Sequence, residues 1–505
     1  MNRDSSSEPA VRPTEDGCLC KARFLGVTIF VALTLSALLA GCNRKEALFL
    51  SSSKCPPAAL SRQSIACDIV DIDAAALEKA EQLSVKLPEE EMITIQRTAV
   101  VRPDAHALIW RGKVDGAGFS NATFSVVNKA VVGTVVTTDG RMYRLRRTPE
   151  GSRIFERLES KAYRVRDAAL KPPTQKPPTK ALRRTSAACA VDHLNCATND
   201  RRMAPLHETS LEAPGFEQLG ARSYQVGGAT QEPQLKDLRR VSTACGAQPP
   251  TCGTDSADRI DVMVVYTPAA LSEAGGEADM AAWINKAEDE TNVSYSQSGV
   301  LHRINILRRW TKEVAYVEQD LSSDLDALID RCDDVMDYVH DWRNDAGADL
   351  VVLITHIASF GSGGYAYTLH HSELGSSQLF EHKAFAVVEQ EHFTAPAYVF
   401  AHELGHLMGA QHDEKSSPGR QGAFDFSHGH VDPTPTSPCT DSWMTIMAEA
   451  SCCTPIGYWS APKTPADTCG KPMGAAAEDN AKTLNETAST VANFRCSHPM
   501  PGNVQ

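Results

Sequence analysis

The chain has 505 residues, of which 42% are hydrophobic and 22% charged, with 15 cysteines and a formal net charge of −13 at pH 7. That length exceeds one ordinary domain, the apolar content supplies at least two packed cores, and the acidic balance gives no support for nucleic-acid binding. The charge is also split: from Ser256 to the end there are 15 Lys and Arg against 35 Asp and Glu, a net of −20, which leaves +7 for the preceding part. Opposite charges would help an amino-terminal segment dock on the carboxy-terminal half, although such an imbalance also serves solubility alone.

At the amino terminus, Lys21 and Arg23 precede an apolar run over 24–35, which ends in Leu39-Ala40-Gly41-Cys42. A basic segment, an apolar core and a small-residue exit read as an export signal over 1–42. Counted from Phe24 to Ala40, the apolar stretch is about seventeen residues, short for a membrane span. Leu39-Ala40-Gly41-Cys42 resembles the bacterial lipobox, which implies cleavage before Cys42 and a lipid on its thiol. Ordinary signal cleavage and an uncleaved anchor are the alternatives. The expectation is an exported protein held by a lipid anchor on Cys42 at a bacterial outer membrane or cell surface, from which a carboxy-terminal domain is released.

Residues 43–170 read as a β-rich unit. Strand patterns at 122–127 and 130–137 are followed by an Asp139-Gly140 turn and a third strand at 141–145, a hairpin meander. Residues 171–255 form a linker and activation region that opens with a proline-rich, extended spacer at 171–180. Cysteines in an exported chain point to disulfides. Cys332, Cys439, Cys452, Cys453, Cys469 and Cys496 lie in the carboxy-terminal half, and the spacing alone does not choose their pairing.

From 256 to 498, strands alternate with helices, leaving 499–505 as a tail. A strand at 259–266 is followed by a helix over about 280–296, a strand at 303–307, a largely helical stretch over 321–342 and a buried strand at 348–354. Residues 363–369 read as an edge strand, with a glycine-rich surface loop as the alternative. An apolar strand at 384–388 precedes a helix expected to begin at Pro396. The fold class is α/β (α+β): a mixed twisted sheet with helices, preceded by the β-rich unit.

That last helix carries His402-Glu403-Leu404-Gly405-His406 and runs on to Gly409, His412 and Asp413. Histidines four apart share one helix face, so both reach a single Zn²⁺ through ring nitrogens. Glu403 falls beside the metal, where its carboxylate can take a proton from water. Gly409 supplies a left-handed turn that ends the helix and returns the chain, so that His412 becomes the third ligand. His370, His371, His428 and His430 read as surface histidines, because no carboxylate pattern builds a cage around them.

This pattern resembles the metzincin zinc endopeptidases, and Asp413 after the third histidine resembles their reprolysin or adamalysin branch. Within that family the chain resembles the bacterial peptidyl-Asp metalloendopeptidase type, over 259–496. The resemblance implies Zn²⁺ on His402, His406 and His412, Glu403 as general base, protein or peptide substrates, and Met447 in Thr445-Ile446-Met447-Ala448 as the methionine-turn residue below the metal, with Met444 as a competitor. It also implies that 457–462 shapes a substrate pocket, that 479–495 forms a closing helix, that the edge strand at 363–369 pairs with an extended substrate, and that cleavage next to Asp is preferred. Glu449 stands where other metzincins have a tyrosine, so no tyrosine ligand is carried over. Residues 43–170 resemble the propeptide of secreted bacterial metallopeptidases, which makes the chain's own propeptide a partner. Cys245 or Cys252 could silence the site as a thiol switch, or pair with each other or with Cys189 and Cys196. The rival functional class is a lipid-anchored adhesion or host-binding protein on an inactive protease scaffold, which the presence of Glu403 and all three histidines disfavours.

Overall fold

The structure is a computed structural model that describes residues 46–159 and 251–498, apart from 48, 57, 58, 62, 117, 358–362, 435–441 and 469. Cys42 and the segment expected to be a lipobox, the proline-rich spacer, Cys189, Cys196, Cys245, Cys439 and Cys469 lie outside the described residues. Among the described residues, no helix is long and apolar enough to cross a membrane.

The β-rich unit is a ten-stranded sheet. Its strands are β1 (Glu46–Ala47), β2 (Phe49–Lys54), β3 (Ser64–Ile72), β4 (Gln82–Lys86), β5 (Met92–Val101), β6 (Ala107–Val114), β7 (Asn121–Val127), β8 (Ala130–Val136), β9 (Met142–Arg147) and β10 (Arg153–Leu158), with one short helix, α1 (Ala74–Lys79). The spatial order is β1-β4-β5-β6-β7-β8-β9-β10-β3-β2, and β4 to β10 form the expected antiparallel meander. Asn128 and Lys129, at φ 47° and 75°, make the tight turn between β7 and β8, and Gly140, at φ 76°, serves the next hairpin.

Successive side chains of a strand point to opposite faces, and β8 uses both. Val131 and Val135 belong to the sheet's own core with Leu77, Trp110, Phe124 and Phe155, whereas Val132 and Val136 join the core of the carboxy-terminal half. This is why every residue of β8 is buried.

The carboxy-terminal half is built on β11 (Arg259–Tyr266), β12 (Arg303–Ile306), β13 (Lys312–Glu313), β14 (Leu350–Thr355), β15 (Gly364–Ala366) and β16 (Phe385–Glu389). The order is β12-β11-β14-β16-β15, with β13 also on β11; all pairs are parallel except β15 with β16. β14 is buried throughout and reads as a continuous apolar run, as a strand covered on both faces should. The helices are α2 (Pro268–Ala274), α3 (Glu277–Ser298), α4 (Leu321–Ile329), α5 (Tyr338–Ala346), α6 (Val399–Leu407) and α7 (Asn480–Val491). Short strands β17 (Val431–Asp432), β18 (Trp443–Met444) and β19 (Thr454–Pro455) form a third sheet.

α3 packs against β7, β8 and α6, and its Trp283, Ala287 and Tyr295 lie in the shared core. Lys286, wholly buried on this helix, bonds Glu290 one turn on at 2.6 Å, so burial lowers its pKa while the carboxylate opposes the shift.

The stretch expected to be largely helical over 321–342 holds α4 and the start of α5, with a break between them. Asp330, Asp333 and Asp337 accept backbone N–H bonds from Cys332, Val335 and Asp334, local bonds that compete with helix continuation, and Asp334 and Met336 sit at φ 65° and 56°.

Candidate metal centre

β16 and α6 position the site. The chain leaves β16, makes a turn over 390–398, and enters α6 at Val399 rather than at Pro396, because Tyr398 takes a left-handed conformation at φ 60°. Every residue of α6 is buried, so the histidine motif is on a core helix. The helix closes as expected: Gly409 is at φ 85°, with its N–H on His406 O and the N–H of Ala410 on Gly405 O.

The returning chain brings His412 to the other two histidines. His412 Nε2 lies 3.1 Å from His402 Nε2 and 3.0 Å from His406 Nε2, and the three are buried. Among the described residues this is the only group of three or more His, Cys, Asp or Glu with metal-ligand spacing. The outer ring nitrogens fix the tautomers. His402 Nδ1 donates to Ile446 O at 2.8 Å, and His406 Nδ1 donates to Ala410 O at 3.0 Å with Thr368 Oγ1 at 3.2 Å. Both Nε2 atoms then face His412 Nε2, so the three ring nitrogens converge on one point, as a shared cation requires. The donor set therefore fits a metal of the kind that takes three imidazoles and keeps a fourth position open.

Outer contacts hold His412. His412 Nδ1 is 3.0 Å from Ser417 Oγ and 3.6 Å from Glu449 Oε2. Asp413 Oδ1 accepts the Glu449 N–H at 2.9 Å, so Asp413 fastens the third-ligand segment to the turn that follows Met447. Glu449 thus stands beside the outer nitrogen of His412. Met447 is buried under α6: a Cβ on Gly405 would stand 2.7 Å from Met447 Sδ and 2.7 Å from the Trp459 ring. Met444, the competitor, packs instead with Ala448 and Cys453. Trp459 is held from α3 by Ser294 and Ser298, and Thr487 and Asn480 of α7 bond Met408 O and Gln411 O.

Glu403 is fully buried and faces the edge strand: a Cβ on Gly364 would stand 2.4 Å from its Oε1. β15 is shorter than the expected 363–369 and is the last strand of its sheet. Gly364 and Thr368 were read only as part of the 363–369 edge strand, and Gly405 and Ser417 were not read as site residues; the glycine inside the histidine motif was the one available signal for the latter.

Two expectations are corrected. Cys252 forms a disulfide with Cys496, so it offers no thiol to the metal. His428 is buried rather than on the surface, donating through Nδ1 to His412 O at 2.9 Å, while His430 pairs with Glu478 at 2.7 Å and His370 and His371 are exposed. Cys452 and Cys453 pair with each other, as do Cys55 and Cys67.

Residues 256–460 match the model of Metallo-peptidase family M12 named Reprolysin_5. A protein from Stenotrophomonas maltophilia is 34% identical over 241 residues, covering 47% of this chain and 52% of its own length. One from Xanthomonas campestris pv. campestris is 34% identical over 240 residues with the same coverage. One from Pseudomonas aeruginosa is 25% identical over 288 residues, covering 52% of this chain and 43% of its own. All three are named Peptidyl-Asp metalloendopeptidase. The chain spans about half the length of the curated relatives it matches. Residues 256–460 are thus similar to the metallopeptidase domain of the M12, reprolysin type, which supports a metzincin-like metallopeptidase.

Proposed function

We propose that the chain is a zinc-dependent endopeptidase, made as an exported precursor, that hydrolyses peptide bonds of proteins with Glu403 as general base. The observation that carries this reading is the convergence of three imidazole Nε2 atoms beside a buried glutamate at a strand edge. Zinc held by His402, His406 and His412 would supply a Lewis acid and bring the pKa of water at the site towards neutrality. Gly364 and its neighbours in β15 align an extended peptide by backbone pairing along the outer edge of the strand. Glu403 takes a proton from the attacking water and returns it to the leaving amine. Gly409 and Asp413 keep His412 in place, and Met447 supports α6 from below.

The relatives' name suggests the same bond preference here, next to Asp. The remaining proposals are a lipid anchor on Cys42, an amino-terminal sheet that acts as the propeptide domain, and later release of the peptidase domain.

Glu403→Gln tests the reading. The variant should bind zinc as the wild type does, while casein turnover falls by about 10²–10⁴-fold, the usual contribution of a positioned acid–base group. Turnover within a few-fold of wild type would remove Glu403 from its role, and a peptide-library profile without Asp at the cleaved bond would refute the bond preference.

A further inference from the structure

The amino-terminal sheet meets the peptidase half through ion pairs of one polarity. In each of the five among the described residues, the cation is on the sheet: Arg111 with Asp289 (2.7 Å), Lys113 with Asp467 (2.9 Å), Arg147 with Asp279 (3.0 Å), Arg146 with Glu273 (3.4 Å) and Arg144 with Glu391 (3.6 Å). Behind them Glu156 is wholly buried and bonds both Arg144 and Arg146. Burial pushes its carboxyl up, but the two guanidinium groups more than reverse this and hold it at about 2. Together with the apolar contacts of Val132 and Val136, this fixes the sheet in one register.

A second set of contacts is aimed at the active-site approach. Gln63 Nε2 lies 2.6 Å from His392 Nε2, Arg144 Nη1 donates to Glu391 O at 3.1 Å, and Asn121 Nδ2 donates to Tyr398 Oη at 3.3 Å. They grip both ends of 391–398, the segment that leads into α6. That segment is in turn tied to the strand edge. Glu389 N–H bonds Gly363 O at 2.7 Å, Val399 N–H bonds His392 O at 3.3 Å, and a Cβ on Gly363 would stand 2.6 Å from Val399 and 3.3 Å from His392. The next residue, Gly364, lies against Glu403. A shift of 391–398 is therefore passed to the spacing between β15 and Glu403.

We propose that in the unreleased chain the sheet is a positioning part of the catalytic site: docked by its basic residues, it clamps 391–398 through Gln63 and Asn121, and turnover of the full chain depends on that clamp. A sheet that only blocks the site would have the opposite effect when loosened. The proposal rests on the endopeptidase reading.

The test uses the full chain with Gln63→Leu and Asn121→Leu, which leave the five ion pairs, and hence docking, in place. The expected result is amide hydrogen exchange at least about tenfold faster over 391–399, kcat about tenfold lower, KM within about twofold and unchanged zinc content, since sub-ångström misplacement at a reacting centre acts on kcat. Asn121→Asp, which can accept from Tyr398 Oη, should retain wild-type kcat. Unchanged exchange, or a kcat that is unchanged or raised, overturns the proposal. A wild-type chain that binds zinc and cleaves nothing would sink the endopeptidase reading instead, and the exchange rates alone would then decide the clamp.

Discussion

Replacing Gly364 by Ala adds a single carbon where the Glu403 side chain already lies. That carbon would stand 2.4 Å from Glu403 Oε1, 2.7 Å from Glu403 Cγ and 2.7 Å from Val399 Cγ1, whereas ordinary contact begins at 3.4 Å. The shortfall, 3.4 − 2.4 = 1.0 Å, must come from turning the carboxylate away or lifting β15 off α6. Gly364 is not at positive φ, so the effect is steric rather than backbone strain. Overpacking of this kind costs about 1–3 kcal/mol of stability. A misplacement of about 1 Å at the reacting centre costs about 100-fold in rate, roughly 2.7 kcal/mol in the barrier. The three histidines are untouched, so zinc should remain at one per chain. The assay is kcat/KM on casein together with metal content, with Gly253→Ala as the control, because nothing lies within 4 Å of a carbon added there. Gly364→Ala turnover within threefold of wild type would refute the placement of Glu403 against the strand.

His302 is buried against Tyr295 with neither ring nitrogen hydrogen-bonded, and burial, with Arg303 adding to it, holds its pKa at about 4. The unfolded chain takes up this proton below about pH 6.5 while the native chain does not, so stability is present above that pH and lost as pH falls towards 4. Between pH 7 and 5 the wild type should lose about 2 kcal/mol more than His302→Phe in urea unfolding; parallel pH profiles would contradict this. The Cys252–Cys496 disulfide closes a loop with a sequence separation of 244. By chain entropy its removal costs up to about 5 kcal/mol, so Cys252→Ser should lower the melting temperature without releasing latent activity. An unaltered melt, or a rise in turnover of the precursor, would count against the assignment.

Much of the site was legible because its chemistry is local in sequence. Two histidines one turn apart, a glycine stop and a third histidine carry their own geometry, and the strands of the parallel sheet announce themselves as apolar runs. What was not legible depends on partners distant in the chain. α3 was legible as a helix over about 280–296, but its almost unpatterned sequence gave no sign that it packs against both the amino-terminal sheet and α6. The strand pattern of β8 gave no sign that its two faces serve two cores. Gly364 and Gly405 matter only for what lies opposite them, Glu403 in one case and Met447 with Trp459 in the other. The split charge pointed towards docking, but the pairing of Arg111 with Asp289 needed the fold. Cysteine spacing left Cys252 open as a switch, and only proximity to Cys496 closed that reading. The stretch expected to be largely helical over 321–342 is helical but for a break between α4 and α5, where aspartates bonding the nearby backbone outweigh the apolar periodicity.

The most direct measurement is metal reconstitution of the purified chain, with zinc content and casein turnover followed together. Chelation should abolish turnover, one equivalent of zinc should restore it, and His406→Ala should neither retain zinc nor cleave. Turnover that persists in a zinc-free chain, or in His406→Ala, would contradict the assignment of His402, His406 and His412 as the catalytic metal site.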